Sequence, residues 1–98
     1  MELKVTILHP RDNVATALAD IAQGETVHAA DARVVAVEAI PFGHKIALAR
    51  IPAGGRVTKY GESIGLAASE IPFGGLVHVH NLESERGRGD VAAAQERA

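Results

Sequence analysis

A seven-residue frame that recurs along the chain constrains its fold more than any other feature. The frame is an apolar residue, Pro or Ala, a variable residue, Gly, two variable residues, then Val or Ile. Proline presets φ for a turn, glycine supplies a positive φ, and the β-branched residue favours a strand. Each copy therefore predicts a tight turn that leads into a short strand. The copies are residues 21–27 (the loosest), 40–46, 51–57 and 71–77.

The residues between the frames indicate further strands and one helix. Alternating apolar and polar residues over 3–7 predict a first strand. Asp12 or Asn13 is placed to cap a helix over residues 14–22, and Gly24 to end it. The other predicted strands cover residues 26–29, 34–39, 45–50, 56–59, 63–67 and 76–80.

A change of composition divides the chain after residue 82. Residues 1–82 carry the apolar pattern of a folded domain, whereas residues 83–98 are charged, contain several small residues and lack apolar periodicity. Such a segment cannot bury enough apolar surface to offset the entropy of ordering it. We therefore expect residues 83–98 to be a flexible charged tail or linker.

Composition also narrows the classes of function. A chain of 98 residues with 3% aromatics buries only about two-thirds of its unfolded surface, so a partner chain, including a second copy, would help to stabilise its core. The absence of cysteine excludes disulfides and thiolate chemistry. A net charge of −2 argues against nucleic-acid binding. Without a signal peptide or a membrane-spanning apolar run, a cytoplasmic protein is expected.

Two histidines at the end of the pattern are the first candidate functional residues. His78 and His80 are separated by one residue on a predicted strand, so both should project from one face. They could hold a metal ion together, or one could act as acid or base while the other orients a substrate. The alternative is a polar stripe on the solvent face, opposite Val77 and Val79.

Basic and aromatic residues at two turns are the other candidates. His44 and Lys45 follow a frame glycine, where an imidazole and a cation could bind a carboxylate. Lys59 and Tyr60 precede Gly61 and form another possible anion-binding corner. The alternatives are solvated turns, with Tyr60 packed on the core.

The order and spacing of these motifs resemble one family. The motifs are Phe42-Gly-His-Lys-Ile-Ala-Leu48, Ile51-Pro-x-Gly, Val57-x-Lys-Tyr-Gly-Glu-Ser-Ile-Gly-x-Ala67 and Ile71-Pro-x-Gly-x-x-Val-His-Val-His-Asn81. Together with Asp12-Asn-Val-Ala15 they resemble the small N-terminal domain of the altronate/galactarate dehydratase family of sugar-acid hydro-lyases. The resemblance covers most of the chain. It implies a SAF-type β-clip over residues 1–82, mostly β with one short helix.

The resemblance also implies a function. In this family the domain accompanies a larger domain, fused or separate, that carries most of the metal-dependent machinery, and the family includes the small subunit of a sulfolactate sulfo-lyase. The chain is then expected to be the small subunit of a two-component hydroxy-acid dehydratase, inactive alone, whose partner is a large catalytic subunit. A base removes the proton α to a carboxylate, a divalent metal ion held mainly by the large subunit stabilises the enediolate, and hydroxide or sulfite leaves.

The implied roles follow from the chemistry of the candidates. His78 and His80 are expected to be catalytic, and the expected substrate-binding residues are His44, Lys45, Lys59, Tyr60 and Asn81. No metal ligand is assigned within this chain. Two other classes stay open, namely a sugar-acid-binding module without catalysis and a structural subunit of a larger enzyme.

Overall fold

The computed structural model of the chain describes residues 4–30 and 32–84. These residues form short antiparallel strands arranged as a four-stranded sheet in the order β1-β2-β5-β8, a β3-β4 hairpin, and a three-stranded sheet in the order β6-β7-β9. The prediction of a mostly β domain is confirmed. The strands are β1 (Val5–Thr6), β2 (Val14–Ala17), β3 (Thr26–Ala29), β4 (Ala32–Val35), β5 (Lys45–Ala47), β6 (Arg56–Lys59), β7 (Glu62–Ala67), β8 (Leu76–Val77) and β9 (Leu82–Glu83).

The recurring frames build the turns in the predicted way. In every copy the glycine has a φ between 80° and 85°, and the following N–H donates to the carbonyl of the second frame residue at 2.7–3.0 Å. A positive φ at the third residue of such a turn is the type II pattern, which favours glycine. The first and seventh residues of every frame are only 0–3% exposed. The frame therefore combines a turn with two core anchors.

The frames are related in pairs, which divides the domain into two similar halves. Ile21 bridges Ile40, and Ile51 bridges Ile71, so the same contact recurs after 30 residues (21 to 51) and 31 residues (40 to 71). Each frame glycine also donates its N–H to an alanine carbonyl with the same offsets. These pairs are Gly24 with Ala36, Gly43 with Ala17, Gly54 with Ala67 and Gly74 with Ala47, at 2.7–2.9 Å.

Two apolar cores lie on opposite faces of the central strands. In β2, Val14 belongs to the second core, whereas Ala15 belongs to the first. In β5, Ile46 belongs to the first core and Ala47 to the second. Because successive side chains of a strand point to opposite faces, the pair β2-β5 contributes to both cores at once.

The helix predicted over residues 14–22 is wrong. Val14–Ala17 form β2, which pairs with β1 on one side and β5 on the other, and Leu18 is 45% exposed. Alanine favours a helix in isolation, but pairing on both edges and burial of both faces override that weak preference. Nor do residues 4–30 and 32–84 include a helix long and apolar enough to cross a membrane.

Several strand boundaries also differ from the predictions. Residues 45–50 do begin with a strand, β5, but the strand predicted over 34–39 lies earlier, at Ala32–Val35. The strand predicted over 76–80 ends at Val77, and the next residues form a turn. Glu83 belongs to β9, which pairs with β7. The rest of the predicted tail, residues 85–98, lies outside the described residues.

Candidate functional site

Two imidazoles, one within the second frame and one directly after the last frame, lie in contact at the centre of the candidate site. His44 precedes β5, and His78 follows β8. The antiparallel register of these strands pairs Lys45 with Val77, so the residues flanking that pair face each other. The ring centroids of His44 and His78 are 4.0 Å apart, with 46° between the ring planes. Strand pairing thus places two histidines side by side, although they are distant in sequence.

Lysines and a further histidine add positive charge around this pair. Burial lowers the pKa of Lys45, and the nearby Lys59 ammonium lowers it further. Burial likewise lowers the pKa of His78, with smaller contributions from His44, Lys45 and His80. His44, Lys45, Lys59, His78 and His80 therefore share one region, which we call the basic cluster. Positive charges that repel one another in such a cluster are stabilised by an anionic ligand.

A tight hairpin brings Lys59 to the basic cluster. Lys59 pairs with Glu62, and the two residues between them, Tyr60 and Gly61, have φ values of 60° and 74°. Positive φ at both central residues defines a type I′ turn. The Lys59 Nζ lies 5.0 Å from the centroid of the Tyr60 ring, within the range of a cation–π contact. Tyr60 is 61% exposed, so the alternative that it packs on the core is wrong.

Asp12 holds this hairpin, a role that the sequence did not reveal. Its carboxylate, buried to 9% exposure, accepts the backbone N–H groups of Tyr60 at 3.2 Å and Gly61 at 2.8 Å. The adjacent Asn13 accepts the N–H of Thr58 at 2.8 Å. The prediction of Asp12 or Asn13 as a helix cap is wrong, because the N–H groups that they satisfy belong to a distant hairpin. In the sequence, only the presence of Asp12 and Asn13 in a family motif indicated that these residues have a particular role.

Asn81 closes the turn that carries His78. Its Oδ1 accepts the His78 N–H at 2.9 Å, and its Nδ2 donates to the Leu76 carbonyl at 2.7 Å. The backbone N–H of Asn81 donates to the His78 carbonyl at 3.1 Å. Both ends of the side-chain amide are therefore engaged with the backbone. A direct contact between Asn81 and substrate stays a prediction.

The prediction that His78 and His80 project from one face assumed that both residues lie on a strand. That expectation required a continuous strand, whereas β8 ends at Val77 and both histidines lie in the following turn. His80 is exposed, yet its charge still contributes to the lowered pKa of His78. The turn, rather than strand alternation, keeps the two imidazoles in one region.

The described part of the chain does not form a metal site by itself. No group of three His, Cys, Asp or Glu side chains in residues 4–30 and 32–84 is placed to hold a metal ion. The basic cluster offers imidazoles next to ammonium groups, and those ammonium groups repel a cation. The same groups suit a carboxylate or a sulfonate, which accepts charge-assisted hydrogen bonds. A divalent ion in a complete enzyme stays a prediction.

Comparison with known proteins identifies related chains. Residues 3–85 match the model of the altronate/galactarate dehydratase SAF domain. The chain is 42% identical over 77 residues to an altronate dehydratase of Bacillus subtilis strain 168, and 45% identical over 77 residues to one of Escherichia coli K12. Each match covers 79% of this chain and 16% of the relative, so the chain spans a small part of these enzymes.

A third relative is much shorter. The chain is 45% identical over 56 residues to the (2R)-sulfolactate sulfo-lyase subunit alpha of Paracoccus pantotrophus. This match covers 57% of the chain and 84% of the relative. That relative is named as one subunit of a lyase.

Proposed function

Because the chain belongs to the altronate/galactarate dehydratase SAF-domain family, we propose that it is the small, substrate-binding component of a hydroxy-acid dehydratase. The observation that carries this proposal is the basic cluster around the His44–His78 contact. Its imidazoles and ammonium groups, of which only the His80 ring is exposed, are suited to an anion that also carries an exchangeable proton. A hydroxy-acid substrate provides both a carboxylate and an acidic C–H bond beside it.

The residues of the cluster take different parts in this proposal. Lys45 and Lys59 bind the carboxylate and stabilise the negative charge that develops when the α proton leaves. His78, whose pKa is lowered, is mainly neutral near pH 7 and so can accept a proton. His80 and His44 orient the substrate or the leaving group. A bound carboxylate raises the pKa of His78. By linkage, the affinity of the cluster for the carboxylate therefore increases as the pH falls and His78 takes up a proton.

A large component completes the site in this proposal. The relatives named altronate dehydratase are several times longer than the matched segment, and another relative is named as a subunit. The divalent ion expected in the complete enzyme belongs to the large component, because the described residues of this chain provide no ligand set. The small component is therefore expected to be inactive alone.

A second candidate is the small subunit of a sulfolactate sulfo-lyase. The match that covers most of the sulfo-lyase subunit favours it. Sulfolactate carries a sulfonate in addition to a carboxylate, and a cluster with several cations can accept two anionic groups. A third possibility is a binding module without catalysis. It would bind the substrate in the complete complex without turnover, which distinguishes it from the dehydratase and the sulfo-lyase candidates.

The test is elimination activity of the complex reconstituted with the cognate large subunit. Altronate, galactarate and sulfolactate are offered to the parent, the His78→Ala and His80→Ala variants, and the double variant. Losing general acid–base groups typically lowers turnover by about 10²–10⁴-fold, and we expect a loss of that order for the double variant. His28→Ala is the matched control, because His28 is an exposed histidine on β3.

Complex formation is measured for every variant by co-purification. A double variant that binds the large subunit and turns over at the parent rate would reject a catalytic role for the histidines. A loss of activity that tracks a loss of binding would instead indicate a structural subunit.

A further inference from the structure

We propose that Asn81 is a positioning residue: it holds the His78 ring against His44 and makes no direct contact with the substrate. The consequence of this inference for catalysis rests on the proposed function. The inference itself rests on the hydrogen bonds of Asn81 in the turn after β8.

The backbone of the turn closes through one bond, from the Asn81 N–H to the His78 carbonyl at 3.1 Å, and the side chain of Asn81 adds two more. The β5-β8 register brings His78 beside His44, but β8 ends at Val77 and no strand pair includes His78 itself. The side chain of Asn81 takes the place of a strand partner on either side of Val77. It accepts the N–H of His78 and donates to the carbonyl of Leu76. These two bonds fix the backbone from which the imidazole projects.

The turn is also anchored to the rest of the domain. The Ala68 N–H donates to the Asn81 carbonyl at 2.9 Å, and Leu82, the next residue, pairs with Ala67 in β9-β7. These are backbone contacts, which remain when the side chain of Asn81 is shortened. The domain is therefore expected to stay folded in variants that release His78.

The position of His78 determines its electrostatic surroundings. The charged and titratable groups that act on it are His44, Lys45 and His80, and burial lowers its pKa more than any of them. Ring contact at 4.0 Å with His44 keeps His78 partly shielded from water. If the turn loosens, the ring moves towards solvent and away from those cations, so the pKa of His78 should rise.

The test is titration of the histidine rings by NMR in the 98-residue chain. In Asn81→Ala we expect the pKa of His78 to rise towards the ordinary value of about 6.5, with loss of the nuclear Overhauser contacts between the His44 and His78 rings. Asn81→Ser retains a hydroxyl that can make one of the two bonds, and its values should lie between those of the parent and Asn81→Ala. Val79→Ala is the matched control, since Val79 lies in the same turn and is 78% exposed.

A second readout connects the geometry to ligand binding. Galactarate, altronate and sulfolactate are titrated into the same variants. For a ligand that the parent binds, Asn81→Ala should weaken affinity by about tenfold, the equivalent of one lost charge-assisted bond. Weak binding of all three ligands by the parent would count against the proposed function, whereas the ring titration still decides the role of Asn81.

The inference is overturned if His78 titrates in folded Asn81→Ala as it does in the parent and the ring contacts persist. It is also overturned if galactarate causes equal shifts of the Asn81 side-chain amide and the His78 ring in the parent, because that would indicate a direct ligand contact. Should Asn81→Ala fail to fold, the comparison of Asn81→Ser with the parent decides by the same criteria.

Discussion

At the scale of single residues, the frame glycines share one conformation but differ in their surroundings. Gly43 and Gly74 have φ values of 83° and 85°, a region that other residues enter with difficulty. A Cβ on Gly43 would meet no atom within 4 Å, whereas one on Gly74 would lie 2.0 Å from the Val35 carbonyl oxygen. The last frame therefore packs directly against the backbone of β4 at Val35.

Alanine substitution at these two glycines should therefore have unequal effects. Gly43→Ala adds only the strain of a positive φ, about 1 kcal/mol. Gly74→Ala adds the same strain and a backbone clash, and we expect a total loss of about 3 kcal/mol or more. Urea unfolding followed by circular dichroism measures both, and equal losses would contradict the close approach to Val35.

At the scale of elements, the β6-β7 hairpin depends on a residue outside the hairpin. Tyr60 is a non-glycine residue with a φ of 60°, which is unfavourable in isolation. The Asp12 carboxylate accepts the N–H groups of Tyr60 and Gly61 and so compensates for that conformation. Through this contact the segment between β1 and β2 determines where Lys59 is presented.

Removal of the Asp12 carboxylate should loosen the hairpin. Asp12→Ala leaves two partly buried N–H groups without their acceptor, which costs about 2 kcal/mol. Asp12→Asn retains one acceptor oxygen and should lose less. Asp20→Ala is the control, since Asp20 is exposed and accepts one N–H, that of Phe42.

The measurements for this prediction are urea unfolding and amide hydrogen exchange at Tyr60 and Gly61. Faster exchange at these two amides is expected in Asp12→Ala and not in Asp20→Ala. If both aspartate variants lose the same stability, the hairpin does not depend on Asp12 in particular.

At the scale of the whole molecule, the two similar halves are joined through a shared sheet. The first core contains Ile40 and the second contains Ile71, at equivalent frame positions, and β2-β5 contributes to both. Neither core can be removed without exposing one face of the central strands. The domain should therefore unfold as one unit rather than half by half.

This cooperativity is testable with paired core substitutions. Ile40→Val and Ile71→Val each remove one buried methylene and should cost about 0.5–1.5 kcal/mol. Both should lower the urea midpoint of residues in both halves equally, as followed by NMR. Resonances of one half that persist after those of the other have disappeared would show that the halves unfold independently.

The sequence by itself determined the turns, the mostly β class and the buried anchors. A proline or alanine followed by a glycine limits φ locally, and the apolar first and seventh frame residues require burial whatever the partner. These are properties of a few neighbouring residues, so they are readable before any tertiary contact is known. The sequence also offered the basic residues of the candidate site, from their places in two turns and at the end of the last predicted strand.

Tertiary structure decided the rest, because it depends on residues far apart in the chain. Val14–Ala17 are a strand because β1 and β5 lie on either side of them. Asp12 is a hairpin clamp because its acceptors face Gly61, 49 residues later. His44 and His78 touch because of the β5-β8 register. Local preferences are about 1 kcal/mol or less per residue, and the pairing and burial supplied by distant strands outweigh them.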